Sequence, residues 1–500
     1  MIGKRTIFYG HFVQPFSPDN SPEKPYQGKK LEKKLANFTG NIIFVGFGSI
    51  AKGVLPLFLR HLPVTPDRIK VVAADPDHEK IAEKYNIEYR EIRLTQENYR
   101  SMLDPMLKKG DFLVNLSVFV SSLALIELCR EKEALYIDTS IEPWEGGYTD
   151  TSTSASDRSN YALREGALEL GRTLKNGPTA IVCQGANPGL ASGFLKQALL
   201  DVARENGITT KPATKEDWAN LARQLNIKTI HVAERDTQNT SVRKKRNEFV
   251  NTWSIDGFIG EGLQPAELGW GTHEKHWPAD GGEHAFGCKA AIYLNTPGAG
   301  VKVRSWTPLE GAYHGFLITH SESISIADYL TVRENGKIVY RPTVHYAYHP
   351  CDDAVLSMHE LAGKNWREQP VKRLMRDEIE EGFDELGVLL MGNEKGVYWF
   401  GSHLTIDQAR ESTPHNNATS LQVAAGVLSG VIWAIENPAM GIIEPDDIDH
   451  ERMLEIARPF LGELIGSWGK WTPLDNRNWP FEEDLDTSDP WQFKNIRVTN

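Results

Sequence analysis

Residues 41–53 read Asn-Ile-Ile-Phe-Val-Gly-Phe-Gly-Ser-Ile-Ala-Lys-Gly, and they constrain the fold more than any other stretch. Ile42 to Val45 form a short apolar strand, Gly46 and Gly48 follow at once, and Ser49 to Leu62 reads as a helix. A strand that turns through glycines into a helix N-terminus holds a pyrophosphate. Gly46 permits the tight turn, Gly48 lets the backbone approach the phosphates, and the helix dipole with its free N–H groups attracts the negative charge. Ala51 takes the third position of the G-x-G-x-x-G/A pattern.

A lone G-x-G is weak, so its context decides. Ile69 to Asp75 gives a second apolar run ending in an acid. Such an acid accepts hydrogen bonds from both adenosine ribose hydroxyls and repels a 2′-phosphate, which favours NAD over NADP. Gly46, Gly48, Ser49, Ile50 and Asp75 are therefore the first cofactor-binding candidates. A Walker-type loop is excluded, because no Gly-Lys-Ser/Thr follows the glycines. The plain alternative is a βαβ turn without a ligand.

The remainder of 41–189 alternates strand and helix. Asp111 to Leu116 reads as a strand and Ser117 to Arg130 as its helix; Ala134 to Asp138 is a strand, 160–175 a helix, and Thr179 to Gln184 another strand. Near-continuous apolar strands between helices give a parallel sheet covered on both faces. Ligands sit at the carboxyl ends of such strands. That adds Ser117, Val118, Asp138, Thr139, Asn187 and Pro188 to the cofactor set.

At 500 residues, two or three domains are expected. The expected organisation is a proline- and lysine-rich arm over 1–40 with a short helix near Leu31, a dinucleotide-binding domain over 41–189, a substrate and dimerisation domain over 190–410, and C-terminal helices over 411–500 that return to the first domain. The fold class is α/β: a Rossmann-type doubly wound parallel sheet plus a second α+β domain with a mixed sheet. A helix at 190–205 precedes the change of pattern. Tyr329 to Glu334, Asn335-Gly336 and Lys337 to Val344 form a hairpin signal. Two more strand-like runs fall within 371–400. Ala418 to Ala434 is a small-residue apolar helix, buried on most sides.

The net charge of −12 argues against a nucleic-acid partner. No apolar run reaches membrane-spanning length and no signal peptide is read, so no membrane partner and a cytoplasmic location are expected. The four cysteines are scattered and read as reduced thiols.

Three segments bring carboxylates beside aromatic or imidazole groups: His231 to Asp236, Asn251 to Glu261, and His320-Ser-Glu322. Read as an extended strand, the last projects His320 and Glu322 to one side. A nicotinamide site lined by Glu and Trp suits an amine. Carboxylates hold ammonium ends, and an indole face stabilises an iminium cation during hydride transfer. The plainer readings are a core tryptophan for Trp253, a solvated charge run for Glu234, a turn acid for Glu261 and a structural imidazole for His320. His273 with His276, and His345 with His349 near Cys351, Asp352 and Asp353, suggest a metal; but the first pair lacks the H-E-x-x-H spacing, the second sits in strand-like sequence where i,i+4 is too far apart without a bend, and no metal is expected.

Taken together, Gly46-Phe-Gly-Ser-Ile, Asn115-Leu-Ser-Val, Tyr136-Ile-Asp-Thr-Ser-Ile-Glu-Pro-Trp144, Gly185-Ala-Asn-Pro-Gly189 and Thr319-His-Ser-Glu322 resemble the bacterial homospermidine synthases, which are saccharopine-dehydrogenase-like. The resemblance runs from about residue 40 onward. It implies aminobutyl transfer from putrescine or spermidine to putrescine, with NAD reduced and reoxidised in place, and a homodimer. It also implies a site on Asn187, Glu234, Trp253, Glu261, His320 and Glu322, with the indole holding the cation, the glutamates holding amine ends and His320 assisting proton transfer. Two alternatives stand beside it. One is an amino-acid-condensing dehydrogenase of the saccharopine or carboxynorspermidine type, which needs Arg or Lys for an α-carboxylate and for which Arg235 is the candidate. The other is a non-catalytic NAD-binding protein.

Overall fold

The apolar runs of the N-terminal half close into one seven-stranded parallel sheet. The computed structural model describes residues 34–173 and 176–499. The expected helix near Leu31 lies outside them; residues 34–40 have no regular helix or strand, and Phe38 packs edge-on to Phe112. The strands are β1 (Ile42–Val45), β2 (Ile69–Ala73), β3 (Glu88–Glu91), β4 (Phe112–Asn115), β5 (Leu135–Asp138) and β6 (Ala180–Ile181), in the order β6-β5-β4-β1-β2-β3. Ile442–Ile443 adds a seventh strand beside β6. The order reverses between β1 and β4, which opens a crevice at their carboxyl ends.

Helix α1 (Ser49–His61) leaves β1 through Gly46 and Gly48 as expected. The helix read from Ser117 begins instead at Ser122, because the Ser121 hydroxyl accepts the Ala124 N–H and caps it there. Residues 117–121 are thereby freed as a loop over the crevice. The strand read over Thr179 to Gln184 is only the two residues of β6.

A larger mixed sheet covers the crevice. Its centre is β7 (Thr229–Asp236), parallel to Thr343–His349 on one side and antiparallel to Phe383–Met391 on the other. The Asn335-Gly336 turn does make a hairpin, but a short one of Val332–Glu334 and Lys337–Tyr340. Tyr329 ends the helix Ser321–Tyr329, and Thr343 starts the sheet strand.

The C-terminal segment is divided between the two sheets. The helix Ala418–Glu436, capped by Asn417, packs along α1, whereas Glu463–Gly469 pairs with Val397–Thr405 of the larger sheet. So the C-terminal residues do not all return to the first sheet. At 19 residues the helix Ala418–Glu436 also has the length and apolarity to cross a bilayer, contrary to the sequence expectation. Leu421, Ala424, Leu428 and Ile432 are fully buried in this fold, as in the core helix of a globular domain.

Candidate active site

The glycines shape the crevice in different ways. Gly46 has φ +84, and a Cβ there would lie 2.7 Å from the Leu116 carbonyl and Ser117 backbone, so only glycine fits between β1 and β4. A Cβ on Gly48 would meet nothing within 4 Å. It would project into open space at a helix start that no side chain caps. N–H groups at an uncapped helix start, above a cradle that a Cβ would fill, fit a dinucleotide pyrophosphate.

A cleft of about 590 Å³ runs along these strand ends, between Gly46, Ala74, Ile92, Leu94 and Val120 on one side and Tyr148, Ile259 and Gly260 on the other. It meets an inner cavity of about 110 Å³ at Ser117 and Val118, which line both. Ile50, Thr139, Asn187 and Pro188 line the inner cavity from the first sheet. Ser49 instead faces a separate hollow beside Lys52 and Asn416.

Asp138 does not face the crevice. It is 1% exposed, accepts the Cys183 N–H (2.7 Å) and the Tyr136 hydroxyl (2.8 Å), and so ties β5 to the segment following β6. Burial pushes its carboxyl up to about 7 against those two hydrogen bonds. Asp75 lies two residues beyond β2, outside the lining formed by Ala73 and Ala74, with its carboxylate 3.3 Å from His78.

The larger sheet and its connections supply the chemistry. Glu234, near the end of β7, and Tyr346, on the parallel neighbour, point into the inner cavity. Glu234 accepts the Asn187 amide at 2.6 Å and the Tyr346 hydroxyl. Burial raises its carboxyl above the ordinary range, and these two donors only partly offset that. Trp253 precedes the helix Ile255–Leu263, which Ser254 caps; its indole N–H donates to the Tyr348 hydroxyl at 2.9 Å, fixing the ring in the wall. Glu261 lies two turns on, along the same helix.

His320 and Glu322 are not on a strand. His320 caps the helix Ser321–Tyr329, and Glu322 lies in its first turn. The imidazole Nε2 is 3.2 Å from Glu261 and Nδ1 is 3.1 Å from Glu322. Burial alone would lower the imidazole, but the Glu322 and Glu261 carboxylates outweigh it and push it up to about 10. The two flanking carboxyl groups thus favour the protonated imidazole of His320. Glu322 lies behind His320, outside the cavity lining.

Sequence reasoning missed Glu142, Tyr346 and Thr419, which also line the cavity. Burial pushes Glu142 up to about 8, against hydrogen bonds from the Phe119 N–H and Tyr148. The described residues lining the cavity include no Arg or Lys. The Arg235 guanidinium is turned to Glu310 and Asp352, each at 3.4 Å. His345 lies against His231 with ring centroids 4.0 Å apart, and His273 and His276 bond to the Trp491 carbonyl and to Asp486.

Residues 42–181 match the saccharopine dehydrogenase NADP binding domain and residues 185–469 the saccharopine dehydrogenase C-terminal domain. A homospermidine synthase of Blastochloris viridis is 53% identical over 466 residues, covering 92% of this chain and 97% of that one. The chain belongs to the homospermidine synthase family. A second homospermidine synthase, of Mesorhizobium japonicum, is 48% identical over 92% of this chain and 96% of its own. The crystal structure of the homospermidine synthase of Legionella pneumophila, in complex with NAD, superimposes with a TM-score of 0.87 at 48% identity and covers 92% of this chain and 98% of that one. Within the homospermidine synthase family, then, this two-sheet arrangement spans nearly the whole chain.

Proposed function

We propose that this protein is a homospermidine synthase that uses NAD to move an aminobutyl group from putrescine, or from spermidine, to putrescine. The observation that carries it is the inner cavity: carboxylates, an indole and the His320 imidazole, with no Arg or Lys among the described lining residues, at the inner end of a dinucleotide cleft. Gly46, Gly48 and α1 would hold the pyrophosphate. Bound NAD supplies a hydride acceptor that later returns the same hydride.

The protein's own groups do the rest. One diamine nitrogen must be neutral before its carbon can lose hydride, and Glu234 is the buried base that takes that proton. Trp253 presents its face to the iminium carbon and nitrogen. Glu261 holds the distal ammonium end, and His320 fixes Glu261 and Glu322 rather than moving protons at neutral pH. A second diamine nitrogen adds to the iminium, ammonia (or diaminopropane) leaves, and the returned hydride gives the secondary amine. The same reading makes the protein a cytoplasmic homodimer through the larger sheet. Its four cysteines, all free, accord with a reducing compartment.

Incubation with putrescine and a catalytic amount of NAD tests this. Homospermidine and ammonia in equal amounts, without accumulated NADH, are expected. NADH formed in step with diamine loss would indicate a dehydrogenase instead.

A further inference from the structure

Three carboxyls, Glu234, Asp236 and Asp384, lie side by side on β7 and its antiparallel neighbour, and all are at most 2% exposed. Their hydrogen bonds are shared unequally. Asp236 accepts the Gln238 N–H (2.8 Å), the Gln238 amide (3.0 Å) and the Thr252 hydroxyl (2.7 Å). Glu234 accepts from Asn187 and Tyr346. Asp384 accepts only the Thr419 hydroxyl on Oδ2, and its Oδ1 is fully buried without a partner. An ionised, half-satisfied carboxylate beside two others is among the costliest arrangements a core can hold. One proton on Oδ1 removes both the charge and the orphan atom, and Glu234 is within reach to accept it.

We propose that Asp384 stands as a neutral carboxylic acid that donates a hydrogen bond to Glu234, and so acts as a positioning residue for the base of the inner cavity. The inference rests on the reading of Glu234 given under Proposed function. The groups facing the pair are Asp236 on β7, Tyr346 and Tyr348 on the parallel strand, Tyr313, and His320. Arg235 on β7 is turned away from the pair, toward Glu310 and Asp352. Burial, with Glu234 and Asp236 alongside, holds the Asp384 proton well above the usual carboxylate range. A donor that stays protonated keeps Glu234 anionic and in place. Glu234 is then free to take one proton from a substrate ammonium and to give it back later in the cycle, so no proton is lost or gained overall.

Two substitutions separate a donor from an anion. Asp384→Asn keeps a neutral donor, whereas Asp384→Leu keeps the branched shape and removes it. With putrescine, Asp384→Asn is expected to keep kcat within threefold of wild type with an unmoved acid limb. Asp384→Leu is expected to lose at least tenfold in kcat, with the acid limb moved upward by at least tenfold in proton concentration. Equal loss in both would show that a neutral donor at this position does not suffice, and would overturn the proposal. Infrared difference spectra between wild type and Asp384→Asn at neutral pH give a readout independent of turnover. The loss of a protonated carboxyl band is expected; the loss of a carboxylate band would contradict it. In wild type alone, labelled with 13C at the aspartate carboxyls, a protonated band that shifts on adding putrescine is expected, and its absence would also overturn the proposal. A wild type with the band but no homospermidine would refute the proposed reaction and leave the carboxyl pair standing.

Discussion

The Asn187 amide donates to Glu234 at 2.6 Å, and this bond joins the turn that follows β6 of the smaller sheet to the central strand of the larger one. It places the expected base of the reaction at the crevice where the nicotinamide end of a dinucleotide would lie. A hydrogen bond to a charged group contributes about 1.5–3 kcal/mol. Asn187→Ala is therefore expected to lower kcat by roughly ten- to a hundredfold, with a far smaller effect on NAD affinity. Steady-state kinetics beside NAD titration checks this; equal losses in both would place Asn187 on the cofactor alone.

The glycines of the first turn separate fold from binding. Gly46→Ala forces a Cβ against the β4 backbone at a positive φ and is expected to destabilise the protein by about 1–3 kcal/mol. Gly48→Ala meets no protein atom and should leave thermal stability near that of wild type while weakening NAD binding. Calorimetric melting and NAD titration of both variants distinguish the two roles.

Indole chemistry predicts a graded loss at Trp253. A desolvated cation over an aromatic face gains about 2 kcal/mol, so Trp253→Leu should cost roughly thirtyfold in turnover. Trp253→Phe keeps a face but loses the indole N–H bond to Tyr348, and should fall between. NAD affinity should not change. Leucine and phenylalanine variants of equal activity would remove the cation from the explanation.

His320 makes stability pH-dependent. Its folded-state proton affinity is raised from 6.5 to about 10, so protons bind the folded form more tightly. The stabilisation is complete below about pH 6.5 and is lost as pH rises through about 10. The melting temperature of wild type should exceed that of His320→Gln by most near pH 6, and the gap should narrow toward pH 10. A gap that widens with pH would reverse the assigned charge.

Much of the first sheet was legible because its signals are local. Four apolar residues, two glycines and a helix of fixed length need no partner to be read, and the helix over 190–205 starts and stops where its pattern does. The errors came from contacts that sequence spacing does not carry. A single Ser121 cap turned 117–121 from helix into loop, and what reads as a strand at His320 is a helix start without a side-chain cap, which still brings His320 and Glu322 together. Asp138 ends its strand like a ligand residue, yet a distant amide at Cys183 claims it. Tyr346, Thr419 and Asp384 reach the cavity or its wall through strand pairings and helix packing across more than a hundred residues, and no motif marks them; Glu142 stands within the Tyr136–Trp144 motif, which does not single it out.

Deuterium traces the borrowed hydride most directly. Putrescine carrying deuterium at both terminal carbons, given with catalytic unlabelled NAD, should yield homospermidine that retains essentially all of its deuterium over many turnovers, because the atom removed from the first diamine returns to the same carbon. Homospermidine lacking one deuterium per molecule, or deuterated NADH accumulating in solution, would contradict a hydride held within a single cleft.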